Sequence, residues 1–200
     1  MRAKDKFQYS VIQHNGSPFL SIITRRLEGK RTNLFEQHES SLKRIEQDYE
    51  QIFIKDYVGR GMLAANGSFQ YVTHLIRGEF VFLLDDDDFI SDSHFIGVLK
   101  EHAREHDVIF FKNKIVPGDG GAHIFPLPSS WQTRTPIYSH IGGSCFVVRN
   151  WVYSKYIHHF AYPEGGDWYF ITEVLKDEQI RTTWVDRIMM ETGKVSHGTW

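Results

Sequence analysis

Cysteine is nearly missing from this chain of 200 residues. Cys145 is the single one, so no disulfide can form within the chain, and the composition suits a reducing compartment. No apolar run approaches the roughly 20 residues that a membrane span needs. The opening stretch from Met1 to Gln13 is charged and lacks the apolar core of a secretory signal. Neither sign of charge dominates: 23 basic residues against 25 acidic ones give a formal net charge of -2. No global positive field therefore draws the chain to nucleic acid or anionic lipid. Internal repeats and low-complexity segments are also lacking. These absences lead to the expectation of a soluble, cytoplasmic protein with no stable membrane insertion. What is present is a globular balance of 41% hydrophobic and 24% charged residues, enough to bury the core of one domain.

Residues 1–18 read as a polar lead-in, followed by a single domain over 19–200. Phe19 to Thr24 is an apolar run of strand length that ends at Arg25-Arg26. From Asn33 the period changes, and Leu34, Phe35, Leu42 and Ile45 fall on one helical face. A second strand is expected over Gln51–Lys55, ending in Asp56, and a helix from about Ala65 to Ile76, stopped by Gly78. Phe80-Val81-Phe82-Leu83-Leu84 is apolar at every position, as a central strand covered on both faces should be. Ser91 or Asp92 can cap a helix running to about Arg104, and Val108–Phe111 gives another strand. This alternation predicts an α/β fold with a mixed, Rossmann-like central sheet flanked by helices. The stretch Asn113 to His140, with its prolines and the Gly118-Asp119-Gly120-Gly121 turn, reads as a long surface excursion. Strand character returns at Ser144–Val148, a helix begins near Asp167, and a last strand is expected over Arg181–Val185.

Asp85-Asp86-Asp87-Asp88 follows the most apolar strand, at the end of the sheet where open α/β folds collect ligands. Four adjacent carboxylates repel one another unless a cation or a set of donors offsets them. Hard oxygen donors suit Mg2+ or Mn2+, which in turn bridge phosphate oxygens. Asp85 and Asp87, two apart, can divide the work between a nucleotide-side contact and the metal. The plainer reading is that the run ends the strand and caps the next helix, a role that suits Asp88.

Leu84-Asp85-Asp86-Asp87-Asp88, preceded by Gly78-Glu79-Phe80, resembles the Gly-Glu-aromatic and Leu-Asp-x-Asp-Asp signature of family-2 glycosyltransferases with the GT-A fold. The resemblance runs from Phe19 to about His197. It implies a metal-dependent transfer from a nucleoside-diphosphate sugar, expected to be a UDP-sugar, to an acceptor hydroxyl, inverting and non-processive. Thr24-Arg25-Arg26 stands where the family continues its first strand as Pro-Thr-Tyr-Asn-Arg. Ser68-Phe69-Gln70 replaces the family's Ala-Arg-Asn. On this resemblance Thr24, Arg25, Asp56, Asp85 and Asp86 are the donor-nucleotide residues, with Asp56 at the nucleobase. Asp87 and the late His197 are the metal ligands. Residues 19–112 become the donor half and 113–200 the acceptor half.

Glu164-Gly165-Gly166-Asp167-Trp168 resembles the family's Glu-Asp element, which opens a helix and supplies the catalytic base. Asp167 matches the aspartate, Gly166 stands at the glutamate, and Glu164 is the alternative base. As a bare pattern, Asp167 also suits a helix cap followed by core aromatics. Gly142-Gly143-Ser144 resembles the segment bordering the acceptor pocket, and Trp131, Tyr162 and Trp168 are candidates for stacking on sugars. The acceptor itself is open: a glycan, a small molecule, a protein or a nucleic-acid base. Two other readings stand beside this one: a haloacid-dehalogenase-like phosphatase with Asp85 as nucleophile, and a sugar-nucleotide-binding module without turnover.

Overall fold

The computed structural model describes residues 7–13, 16–29, 32–115 and 121–192. The elements run β1 (Gln8–Gln13), β2 (Leu20–Leu27), α1 (Thr32–Leu42), β3 (Tyr49–Asp56), α2 (Met62–Ser68), β4 (Phe80–Leu83), β5 (Asp88–Ile90), α3 (Phe95–Ala103) and β6 (Val108–Ile115). They continue with β7 (His123–Phe125), α4 (Pro128–Thr133), β8 (Phe146–Arg149), α5 (Asn150–Tyr156), α6 (Gly166–Val174) and β9 (Thr182–Thr192). Among the described residues nine strands form one mixed sheet in the order β1-β3-β2-β4-β8-β6-β9-β5, with β7 added against β6.

The apolar run Phe80–Leu83 shows why the centre of the sheet is covered on both sides. Successive strand side chains point to opposite faces. Phe80 and Phe82 join a core with Leu20, Ile22, Leu42, Ile96 and Leu99, beneath α1 and α3. Val81 and Leu83 join a second core with Ile23, Phe69, Val152, Phe170 and Val174, beneath α5, α6 and the segment Phe69–Leu75 that follows α2. The result is a three-layer α/β arrangement. Among the described residues no helix is long and apolar enough to cross a membrane.

Several expectations change in detail. Part of the polar lead-in belongs to the sheet: Gln8–Gln13 pairs antiparallel with β3 along the sheet edge. The single helix expected from Ala65 to Ile76 is instead the short α2 followed by a 3-10 segment, Phe69–Leu75. The helix after the acidic run starts at Phe95, and its cap residue His94 makes no side-chain capping bond. Asp92 turns to the His94 amide and to Arg187 instead. Asp88 does not cap that helix. It opens β5, which pairs antiparallel with the end of β9 through Asp88 and Thr192. The last strand therefore runs well past Val185, and its far end anchors the exit of the acidic run.

Candidate active site

The acidic run is a tight turn at the carboxyl end of β4. The Leu84 amide still bonds the Ile23 carbonyl of β2, and the Asp88 amide closes back on the Asp85 carbonyl at 3.1 Å. A turn sends successive side chains in different directions, which is how four adjacent carboxylates coexist. Asp85 reaches Arg25, with Oδ2 3.0 Å from the guanidinium. Asp86 is buried and accepts the Leu27 amide at 3.4 Å. Asp88 turns inward under Thr192 and Ser144, whose hydroxyls bond its carboxyl, while Asn113 bonds both hydroxyls. Burial, reinforced by the charges of Asp87 and Asp85, holds the Asp88 carboxyl well above the usual carboxylate range. Asp87, near the middle of the turn, is 9% exposed.

Arg25 lies on β2 with its guanidinium fork divided. One arm meets Asp85, and the other donates to Asn66 Oδ1 at 2.7 Å. Its plane sits 5.2 Å from the centre of the Phe69 ring, so the charge is held between a carboxylate, an amide and an aromatic face. Asn66, on α2, spends its other end on the Tyr162 carbonyl at 2.6 Å. That carbonyl belongs to the loop entering α6, where Asp167 sits in the first turn.

Burial pushes the Asp167 carboxyl up to about 6, and the nearby charge of Asp85 adds to the rise against hydrogen bonds from Trp168 and the main chain. The structure thus brings Asp167 into electrostatic reach of the acidic turn. Gly143, in the short 3-10 segment before β8, stands beside it: a Cβ there would lie 3.8 Å from the Asp167 Cβ. The two glycines before Asp167 are sterically required. Gly165 is left-handed (φ 64), and a Cβ on it would meet Tyr138 at 2.6 Å. A Cβ on Gly166 would lie 2.4 Å from the Phe160 carbonyl oxygen. No glutamate can stand at that position, and Glu164 is exposed on the loop outside.

Beyond β2 and β3 an open cleft is lined by Arg25, Arg26, Leu27, Asp56, Gly59, Gly61 and Ala65. Asp56 shapes its wall, because its carboxylate accepts the amides of Val58, Gly59 and Arg60 at 2.9 to 3.1 Å. Thr24 is not among the lining residues. Strand alternation turns it to the opposite face from Arg25, where it is fully buried against His38 and Gln51. Its side chain therefore faces away from the cleft, towards His38 of α1.

His38 is the residue that sequence reasoning passed over. It sits on α1 with Nδ1 2.9 Å from the Asp88 carbonyl oxygen, and Nε2 3.2 Å from both Thr24 Oγ1 and Gln51 Nε2. A carbonyl only accepts, so Nδ1 carries a proton and donates it to Asp88. Burial holds its pKa below the ordinary value. One of eleven histidines on a polar helix face gives no signal of this. Asn66 was equally hidden, as a polar residue in a small-residue segment.

Among the stacking candidates, Trp168 donates its indole N–H to the Pro136 carbonyl and meets Tyr138 edge-on. Trp131 packs edge-on against Trp184. Tyr162 is exposed and stacks on Tyr169, with ring centres 3.9 Å apart.

A Mg2+ or Mn2+ ion fits the donor chemistry of the turn. Such ions need one or two carboxylates and take their other ligands from phosphate and water. Among the described residues no group of three or more His, Cys, Asp or Glu side chains is gathered as a metal cage. His197 lies outside the described residues.

No protein-family model and no curated protein matches this chain. Solved structures do. Staphylococcus aureus TarS, residues 1–349, in complex with UDP-GlcNAc, superposes with a TM-score of 0.60 at 14% identity, over 90% of this chain and 59% of that one. The same protein with UDP gives 0.59 at 14% identity, over 88% and 60%. A197 from STIV gives 0.53 at 11% identity, over 84% and 81%. The likeness is one of fold. The chain spans about three fifths of the TarS chain it matches.

Proposed function

We propose that this chain is a GT-A-type glycosyltransferase that moves a sugar from a UDP-sugar to an acceptor hydroxyl, with inversion and one sugar at a time. The observation that carries the reading is Asp167: a carboxyl raised to about 6 by burial, within the field of Asp85, in the first turn of α6. A fold shared with a protein solved with UDP-GlcNAc supports the same reading.

In this reading residues 19–112 hold the donor and 113–200 the acceptor. The nucleoside occupies the cleft beside Gly59 and Gly61, with Asp56 shaping the wall. Arg25 and Asp85 border the diphosphate, and Asp86 fixes the turn to β2. Asp87 would hold the Mg2+ or Mn2+, with His197 as the proposed further ligand. The ion supplies Lewis-acid neutralisation of the leaving diphosphate. Asp167 takes the proton of the acceptor hydroxyl as that oxygen bonds to the anomeric carbon and the bond to the diphosphate breaks. A base near 6 is mostly ionised at neutral pH yet basic enough to accept a proton.

The test is hydrolysis and transfer of UDP-GlcNAc with Mn2+, with and without EDTA, for wild type and Asp87→Ala. Activity lost in both arms is the expected result. Metal-independent turnover, or an unimpaired Asp87→Ala, contradicts the mechanism. Phosphate-ester hydrolysis with covalent labelling of Asp85 would point to the phosphatase reading. UDP binding without turnover across a panel of acceptors would point to a binding module.

A further inference from the structure

Three polar contacts, buried in the middle and half-buried at either end, form one continuous line across the site: Asp85 to Arg25 at 3.0 Å, Arg25 to Asn66 Oδ1 at 2.7 Å, and Asn66 Nδ2 to the Tyr162 carbonyl at 2.6 Å. Its ends differ in kind. One is a carboxylate of the acidic turn; the other is the main chain five residues before Asp167. We propose that Asn66 is a positioning residue, whose amide locks the guanidinium on the donor side to the loop that aims the base on the acceptor side. This rests on the reading of Asp85 and Asp167 given above.

The chemistry of the position favours an amide. Asn66 is 3% exposed and lies between a donor that is always charged and an acceptor that never donates. An amide satisfies both at once: its oxygen faces Arg25 and its NH2 faces Tyr162. A carboxylate would serve the Arg25 side and fail the other, and an aliphatic side chain would fail both. The link is short and backed by packing. The Phe69 ring lies beside the Arg25 guanidinium, and Phe160, next to Tyr162, packs edge-on against Phe69 with centroids 5.0 Å apart. Gly166 closes against the same side chain, since a Cβ on it would sit 3.1 Å from Asn66 Nδ2. A shift at Asn66 therefore moves the first turn of α6 relative to Arg25.

Asn66→Asp separates the two ends. It keeps the Arg25 contact as a charge-assisted bond and loses donation to Tyr162 once ionised. Asn66→Leu removes both contacts at similar volume, and thermal melting reports whether each variant folds. The probes are UDP with Mn2+ by calorimetry and UDP-GlcNAc turnover across pH. For Asn66→Asp the expected result is a kcat lower by about 100-fold, the scale of a base misplaced by an ångström, with a distinctly smaller loss of UDP affinity from the carboxylate added beside Arg25. The apparent pKa of the pH profile should also rise, because a carboxylate has been added near Asp167. Asn66→Leu should lose UDP affinity as well. Unchanged kcat in the folded variants overturns the inference, as does a loss of binding and turnover in equal proportion with no change in the pH profile. A wild-type protein that neither binds UDP nor turns over a UDP-sugar overturns the functional reading itself, whatever the variants do.

Discussion

Arg25 holds Asp85 at 3.0 Å from a position that is itself only 6% exposed, so one carboxylate of the acidic turn is neutralised from inside the protein. The guanidinium reaches Asn66 with its other arm, a divided contact that a lysine ammonium cannot reproduce. Arg25→Lys should therefore cost about 1.5–3 kcal/mol, the range for a hydrogen bond to a charged group. Urea unfolding at neutral pH measures this. Stability equal to wild type would show that the fork is not used.

Asp85 also bears on Asp167, since its charge is part of what raises that carboxyl to about 6. Asp85→Asn removes the charge, and the Asp167 pKa should fall below its wild-type value. A carboxyl-carbon NMR titration reads this directly, whether or not the variant is active. An unmoved Asp167 would place the two groups out of reach of each other.

As the base, Asp167 must be ionised. Turnover should therefore fall as pH drops through about 6, following a single protonation. Asp167→Asn should lose about 100- to 10,000-fold in kcat and show no such limb. A variant that keeps the limb would assign it to another group.

His38 controls an acid-side stability effect of opposite sign to that of Asp167. Burial lowers its pKa, so the unfolded chain takes up a proton below the ordinary 6.5 while the folded protein resists it. Its stability contribution is present above 6.5 and is lost as pH falls below that value. Asp88 and Asp167 are raised, so the folded state binds their protons first and their contribution grows as pH falls. Comparing wild type with His38→Gln isolates the histidine. The variant should lose less stability than wild type between about pH 8 and about pH 5. Parallel losses would exclude His38 as the source.

Gly166 explains why the glutamate expected at that position is missing. Gly166→Ala forces a Cβ to within 2.4 Å of a carbonyl oxygen, an overpacking that should cost about 1–3 kcal/mol. Thermal melting would show it as a drop of several degrees. An unchanged melting temperature would mean that the first turn of α6 yields freely.

The strands and the position of the acidic turn were legible because burial on two faces leaves an unbroken apolar run, as in Phe80–Leu83. The sheet edge was not, because Gln8–Gln13 needs cover on one side only, and its alternation is diluted by polar residues. Asp85, Asp87 and Asp167 stood out as carboxylates at element ends. The face of Thr24 was not legible, because a one-residue step along β2 reverses it. Asn66 and His38 were invisible because their roles arise from partners 96 and 50 residues away in sequence. Period and propensity do not reach that far.

The most direct measurement is a calorimetric titration of the wild-type protein with UDP, in Mn2+ and again in EDTA. Saturable binding in Mn2+ that weakens at least about tenfold in EDTA is the expected result, since the diphosphate and Asp87 would share the ion. No binding of UDP in either condition would contradict the assignment of this site to a nucleotide sugar.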